Sequence, residues 1–203
     1  MKAPHPVLSR RASGGWTLLE ISIVSLLVLG LVAKAAFVTR EALDFAGDET
    51  ASLHNEDQAR RVIDQIALAV MGSDRGTLLP QIEDVHSNHI RYTFSLGLED
   101  GEVVWSAPEQ ISLTEDRNAV EWSENPGAAE ERRVVWTNLV SPLLEGEVMN
   151  GLDDNGNGLV DEDGLSFLLE GERIVIRLSL RRQDPEGGKP IEETVESVVS
   201  CRN

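Results

Sequence analysis

The residues Asp153-Asp154-Asn155-Gly156-Asn157-Gly158-Leu159-Val160-Asp161-Glu162-Asp163 carry side-chain oxygens at alternate places in a glycine-rich run. The spacing matches the first half of an EF-hand loop: Asp153 at position 1, Asn155 at 3, Asn157 at 5 and Gly158 at 6. Oxygens at alternate positions of a tight turn converge on one point. Gly158 permits the bend, Leu159 offers its backbone carbonyl at position 7, and Val160 anchors the loop to a core. Position 12, where a bidentate glutamate closes such a shell, is Gly164. Asp161 and Glu162, at positions 9 and 10, are placed to close it instead. Hard oxygen donors favour calcium over zinc. Without a cation, Asp153, Asp154, Asp161, Glu162 and Asp163 repel one another within one loop. Millimolar external calcium suits even a weak site, with a dissociation constant of roughly 10⁻⁴–10⁻³ M. The competing reading is an Asn-Gly-rich surface turn with incidental acids.

A second group lies near the start of the chain. From Trp16 to Ala33, Glu20 is the only charged residue. A helix of that length covers roughly 27 Å at about 1.5 Å per residue, close to the ~30 Å hydrocarbon layer of a bilayer. Lys34 interrupts the run, but a lysine near a helix end snorkels, and Ala35, Ala36, Phe37 and Val38 extend it. A lone carboxylate in such a segment is costly without a partner. Lys2, Arg10 and Arg11 precede the run and no acidic residue does, so the positive-inside rule puts that end in the cytoplasm. A secretory signal peptide has a shorter apolar core and an Ala-x-Ala-like site after it. Here the small residues, Gly14 and Gly15, stand before the run.

The basic leader, Gly15, Glu20 five places on from the end of that leader and the apolar continuation together resemble the type IV pilin and pseudopilin families. The resemblance implies cleavage between Gly15 and Trp16 by a prepilin peptidase, with N-methylation of Trp16. It places Glu20 at the fifth mature position, where these families carry a glutamate. Trp16 departs from their usual phenylalanine but is still large and aromatic. An amine and a carboxylate in lipid each carry a large desolvation cost, and pairing Glu20 of one subunit with the Trp16 amine of its neighbour offsets both. Glu20 is thus expected to set register and assembly, not to catalyse.

Composition narrows the function classes. The chain has 203 residues and a formal net charge of −17. The first 15 residues hold three of its 18 Lys and Arg and none of its 35 Asp and Glu, leaving 15 basic against 35 acidic, or −20, in the remainder. Such acidity argues against direct binding of nucleic acid phosphates and suits divalent cations or a basic partner. Cys201 is the single cysteine, so no intrachain disulfide forms; it is expected to pack as a small apolar residue. His86 and His89 have no further His or Cys near them in sequence, so no zinc site is expected. No Gly-x-Ser-x-Gly, His-Glu-x-x-His or comparable arrangement is present, so an enzyme is not expected.

These groups need elements to position them. Ala59, Val62, Ile63, Ile66, Ala69 and Val70 recur at spacings of three and four, an amphipathic stripe. One long helix is expected from Trp16 to about Met71, with Gly47 marking a bend and Asn55 with Gln58 a capping box. After Pro80 the period becomes two. Ile90, Tyr92, Phe94 and Leu96 read as one strand, Glu99 to Glu102 as a hairpin turn into Val103-Val104-Trp105, with further strands at Ile111–Leu113, Val120–Trp122 and Arg133–Trp136. Leu165–Leu169 and Ile174–Leu180 read as a second hairpin, Gln183–Lys189 as a loop and Ile191–Cys201 as a terminal strand. Trp105, Trp122 and Trp136 are expected in the core. The predicted class is α+β: a long N-terminal helix, transmembrane then amphipathic, packed on antiparallel sheet in a pilin-like plan.

The expected partition is residues 1–15 as cytoplasmic leader, 16–38 as transmembrane helix, 39–72 as its amphipathic continuation, and 73–203 as a periplasmic β-rich domain carrying the Asp/Asn-rich loop 153–163. Size and hairpin content are most like the J-type minor pseudopilin of type II secretion or the W-type minor pilin of type IV pili, whose C-termini often close with Arg-Asn, as Arg202-Asn203 does here. The resemblance implies a single-pass inner-membrane subunit of a pseudopilus tip. Its implied partners are other minor pseudopilins or pilins, the prepilin peptidase and an inner-membrane assembly platform with its ATPase. A pilus tip adhesin or substrate-binding subunit is the alternative.

Overall fold

The computed structural model describes residues 17–183 and 190–201. They form one long helix, α1 (Leu18–Met71), a short 3₁₀ turn (Arg75–Thr77) and ten strands: β1 (His86–Ser87), β2 (His89–Tyr92), β3 (Ser95–Glu99), β4 (Glu102–Trp105), β5 (Glu109–Leu113), β6 (Val120–Glu124), β7 (Arg132–Thr137), β8 (Leu165–Glu170), β9 (Arg173–Arg182) and β10 (Ile191–Ser200). The class is α+β, with a long N-terminal apolar helix and antiparallel sheets. The chain divides into two compact units, Met1–Gly47 and Asp48–Asn203.

In the first unit, Leu18–Leu43 is a helical stretch long and apolar enough to cross a membrane. Leu19, Leu26, Leu29 and Leu31 are all exposed, as expected of a helix that is apolar all round and has no protein core to cover it. Helix assignment carries through Gly47.

In the second unit, the predicted stripe is the buried one. Ala59, Val62, Ile63, Ile66 and Val70 join a single core cluster with Ile174, Ile176, Leu178 and Leu180 of β9 and with Leu165, Phe167 and Leu169 of β8. Burying each large aliphatic side chain stabilises by about 1.5–3 kcal/mol. Asn55 and Gln58 do not cap a helix; they lie inside α1. Asn55 extends the stripe one turn earlier, and its Nδ2 donates to the Leu180 carbonyl at 3.0 Å, while Gln58 reaches Thr137 Oγ1 at 3.4 Å. A capping box needs free helix amides, and inside a continuous helix those are already bonded.

The strands form a sheet of order β1-β8-β9-β10, a second of order β2-β5-β6-β7, and a separate two-stranded hairpin β3-β4. β9 and β10 pair antiparallel from Ile191↔Arg182 to Ser200↔Arg173. β9 is longer than β8, whose last partner on it is Leu165↔Leu178. Beyond that point the chain around Leu139–Ser141 takes over the edge: Ser141 N donates to the Ser179 carbonyl at 2.9 Å and Arg181 N to the Leu139 carbonyl at 2.6 Å.

The expected single strand from Ile90 to Leu96 is instead broken after Tyr92. The backbone of Thr93 and Phe94 is diverted: Thr93 accepts from Asp74 N at 3.2 Å, Ser106 N donates to the Phe94 carbonyl at 2.9 Å, and Phe94 N donates to Ser106 Oγ at 3.1 Å. The alternation therefore serves two sheets. Trp122 and Trp136 pack against the core, as expected. Trp105 does not; it is 43% exposed, because the β3-β4 hairpin has no layer over it. The terminal strand is as expected, and the expected loop at Gln183–Lys189 lies outside the described residues beyond Gln183.

Candidate functional site

The acidic loop is a ladder of side-chain-to-backbone bonds. Asp153 Oδ1 accepts from the amides of Gly156 at 2.7 Å and Asn157 at 3.2 Å, and its Oδ2 from Gly158 N at 2.8 Å. Asn155 Oδ1 accepts from Asn157 N at 3.0 Å, and Asn157 Oδ1 from Leu159 N at 2.9 Å. The two asparagine bonds are the local Asx turns that Asp and Asn favour. Gly158 has φ +90°, a conformation that suits glycine. The alternate oxygens of Asp153, Asn155 and Asn157 are thereby brought onto one tight turn.

Glu162 closes the loop against the sheet. It is fully buried. Its Oε2 meets Asn157 Nδ2 in a short contact, while its Oε1 accepts from Ser166 Oγ at 2.9 Å and pairs with Arg177 Nη1 at 3.0 Å. Arg177 stands on β9 between Ser166 and Glu196. Its odd-numbered place puts it on the sheet face opposite Ile174, Ile176 and Leu178, the face turned away from α1. Its Nε reaches Glu196 at 2.8 Å. Burial works against the Arg177 charge, but its bonds to Glu196 and Glu162 outweigh that and raise its pKa.

Asp161 is drawn elsewhere. It adopts φ +51°, and its Oδ1 accepts from Asn150 N at 2.9 Å and Gly151 N at 3.1 Å. It thus ties the start of the loop to its end, away from Asn157 and Glu162. Asn150 also holds Asp154, Nδ2 to Oδ2 at 2.7 Å. Asp163 accepts from Asn88 Nδ2 at 2.8 Å and pairs with Arg117 at 2.8 Å. The expected mutual repulsion of five acids is thus reduced: Glu162 and Asp163 each face an arginine that no local motif announced.

The glycine at position 12 has a structural cause. A Cβ on Gly164 would lie 1.8 Å from the Ser141 carbonyl oxygen. Gly164 sits where the 139–141 segment and β8 meet along β9, its carbonyl accepting from Ser179 N at 2.7 Å. No side chain fits there, so a glutamate cannot stand at position 12.

Glu147 lies beside the loop. It is buried; Oε1 accepts from Asn155 N at 3.4 Å, and Oε2 has no hydrogen-bond partner among the described residues. The loop's donor set is all oxygen and fits a hard cation. Among the described residues no group of three or more His, Cys, Asp and Glu side chains converges on one point; half of the expected ligands are Asn155, Asn157 and the Leu159 carbonyl.

In the N-terminal unit, Gly15 and Trp16 lie outside the described residues. Glu20 forms a capping box with Thr17: Thr17 N and Oγ1 donate to Glu20 Oε2 at 2.8 and 3.0 Å, and Glu20 N donates to Thr17 Oγ1 at 3.3 Å. The carboxylate sits at the positive end of the helix dipole. Thr17 was missed, although Thr-x-x-Glu before an apolar run is its signature. Cys201 is half-buried; burial pushes its thiol up, against a weak bond to Ser73 Oγ at 3.8 Å. No protein-family model, characterised relative or solved structure matches the chain.

Proposed function

We propose that the protein is a minor pseudopilin, a structural and priming subunit at the tip of a type II secretion pseudopilus in the inner membrane. The observation that carries this is the processing-and-assembly segment Gly15-Trp16…Glu20 leading straight into an apolar helix that is followed by antiparallel sheet. Such a subunit is anchored through Leu18–Leu43, with its sheet domain in the periplasm and its partners among other minor pseudopilins and the assembly platform. Glu20, held at the first turn by Thr17, would pair with the Trp16 amine of a neighbouring subunit once cleavage releases it. Its function is to bind and orient a neighbour, with no catalytic step.

A calcium ion fits the loop's oxygen donors, and Asp153, Asn155, Asn157, Leu159 and Glu162 would hold it; Asp161 would support the loop from its edge. The ion would supply charge neutralisation and rigidity to a surface loop.

The test is co-expression of the full chain with a prepilin peptidase, the platform and the sibling pseudopilins, followed by mass spectrometry of the N-terminus and filament pull-down. The expected product begins at methylated Trp16. Glu20→Ala is expected to leave cleavage intact and to abolish incorporation. Cleavage after the apolar segment, or normal incorporation of the variant, refutes the proposal.

A further inference from the structure

We infer that the β3-β4 hairpin is a docking surface for an extended protein segment whose apolar residues are bracketed by Lys or Arg. This inference does not depend on the pseudopilin reading.

The hairpin concentrates exposed apolar side chains on two adjacent strands. Leu96 is 62%, Leu98 75%, Val103 43% and Trp105 43% exposed. Leu98 pairs with Val103 across the ladder, and alternation sets Trp105 on the same face. Two strands alone are marginally stable in water, and a contiguous apolar patch of this kind marks an interaction site. The hairpin belongs to neither four-stranded sheet, so its backbone edges are open to strand addition. A groove of about 510 Å³ runs between Leu96, Val103 and Trp105 and the turn Gly72-Ser73-Asp74 that ends α1.

Charge selects the occupant. Glu99, Asp100 and Glu102 form the hairpin tip, and Asp74 stands across the groove. No Lys or Arg lies between Ser95 and Ser106. The nearest cation in sequence, Arg91, donates to Gln110 Oε1 at 3.2 Å, and Arg75, next to Asp74, donates to the Gly171 carbonyl at 2.8 Å. The surface is an apolar floor with carboxylates at its rim. A second copy of this acidic chain would set acid against acid, and an anionic membrane surface would be repelled; a segment with basic ends meets complementary charge.

The probe is a nine-residue peptide alternating valine and threonine with lysine at both ends, titrated by calorimetry into the full chain in zwitterionic nanodiscs. A glutamate-ended version is the control. The lysine peptide is expected to bind at least about tenfold tighter than the glutamate peptide, and more weakly at high salt. Leu98→Ser and Trp105→Ala are each expected to weaken it about tenfold or more, as loss of a central apolar anchor does. The paired substitution Glu99→Lys with Glu102→Lys leaves the apolar floor intact, cancels the net charge of the rim and is expected to abolish the peptide preference. That variant decides the matter should the apolar substitutions unfold the hairpin. No binding of the lysine peptide, equal binding of the two peptides, or a doubled particle mass without peptide, which would make the occupant a second copy, overturns the inference.

Discussion

Removing Glu162 is expected to destabilise the sheet domain by about 3 kcal/mol. Breaking a buried ion pair by deleting one partner costs about 3–5 kcal/mol, because the other charge is left without its partner. Glu162 has no exposed surface, and Arg177 has 16% of its side chain exposed. Arg177 keeps Glu196 at 2.8 Å, a residue with 51% of its side chain exposed, which holds the cost of Glu162→Ala near the lower end of that range. For a chain of this size ~3 kcal/mol corresponds to a fall in Tm of roughly 6–12 °C. The assay is thermal and urea unfolding of the full chain, followed by near-ultraviolet circular dichroism. Arg132→Ala serves as the reference, since its pair with Glu124 at 3.1 Å is exposed on the arginine side, 75%, and such pairs contribute about 0–1 kcal/mol. The double substitution Glu162→Ala with Arg177→Ala is expected to cost less than the two singles together by at least ~1 kcal/mol, the mark of a direct interaction. If Glu162→Ala costs no more than Arg132→Ala, or the two singles simply add, the clamp between loop and sheet is refuted.

Three further outcomes follow from the same geometry. Gly164→Ala drives a Cβ to 1.8 Å from the Ser141 carbonyl, a backbone clash that local repacking does not relieve; a loss of about 3 kcal/mol or more is expected by urea unfolding, and an unchanged midpoint would contradict the described edge of β9. Glu193 has its pKa raised by burial and by the neighbouring charges of Glu56 and Glu145. A carboxyl whose folded pKa exceeds its unfolded value, about 4.3, binds its proton more tightly when folded, so stability falls as pH rises through that window and the penalty persists above it. Glu193→Gln is therefore expected to raise Tm at pH 7 and to leave it nearly unchanged at pH 3.5; equal effects at both would sink this account. Calcium added to the full chain is expected to release or absorb heat and raise Tm, and Asp153→Ala, which also removes three loop hydrogen bonds, to abolish the calcium-dependent part; no heat, and no change of Tm on chelation, would remove the ion from the proposed function.

The linear order of residues was enough for the apolar run, the helical stripe and the tight turn of the acidic loop. The apolar run is membrane-length whatever surrounds it. The stripe from Ala59 to Val70 must face a core because 3.6-residue geometry leaves no other way to cover it. The Asx ladder of Asp153, Asn155 and Asn157 forms from bonds spanning two to five residues, so the loop's shape was legible too. What depends on distant chain was not. Arg177 reaches Glu162 from the far face of β9, Arg117 reaches Asp163 from another loop, and the 139–141 segment forbids a side chain at Gly164. Trp105 reads as core by the same alternation as Trp122, and only the separation of the hairpin from both four-stranded sheets leaves it at the surface. Sequence pattern specifies which side chains share a face; whether anything covers that face is decided by tertiary packing, because burial is a property of neighbours brought together from far along the chain.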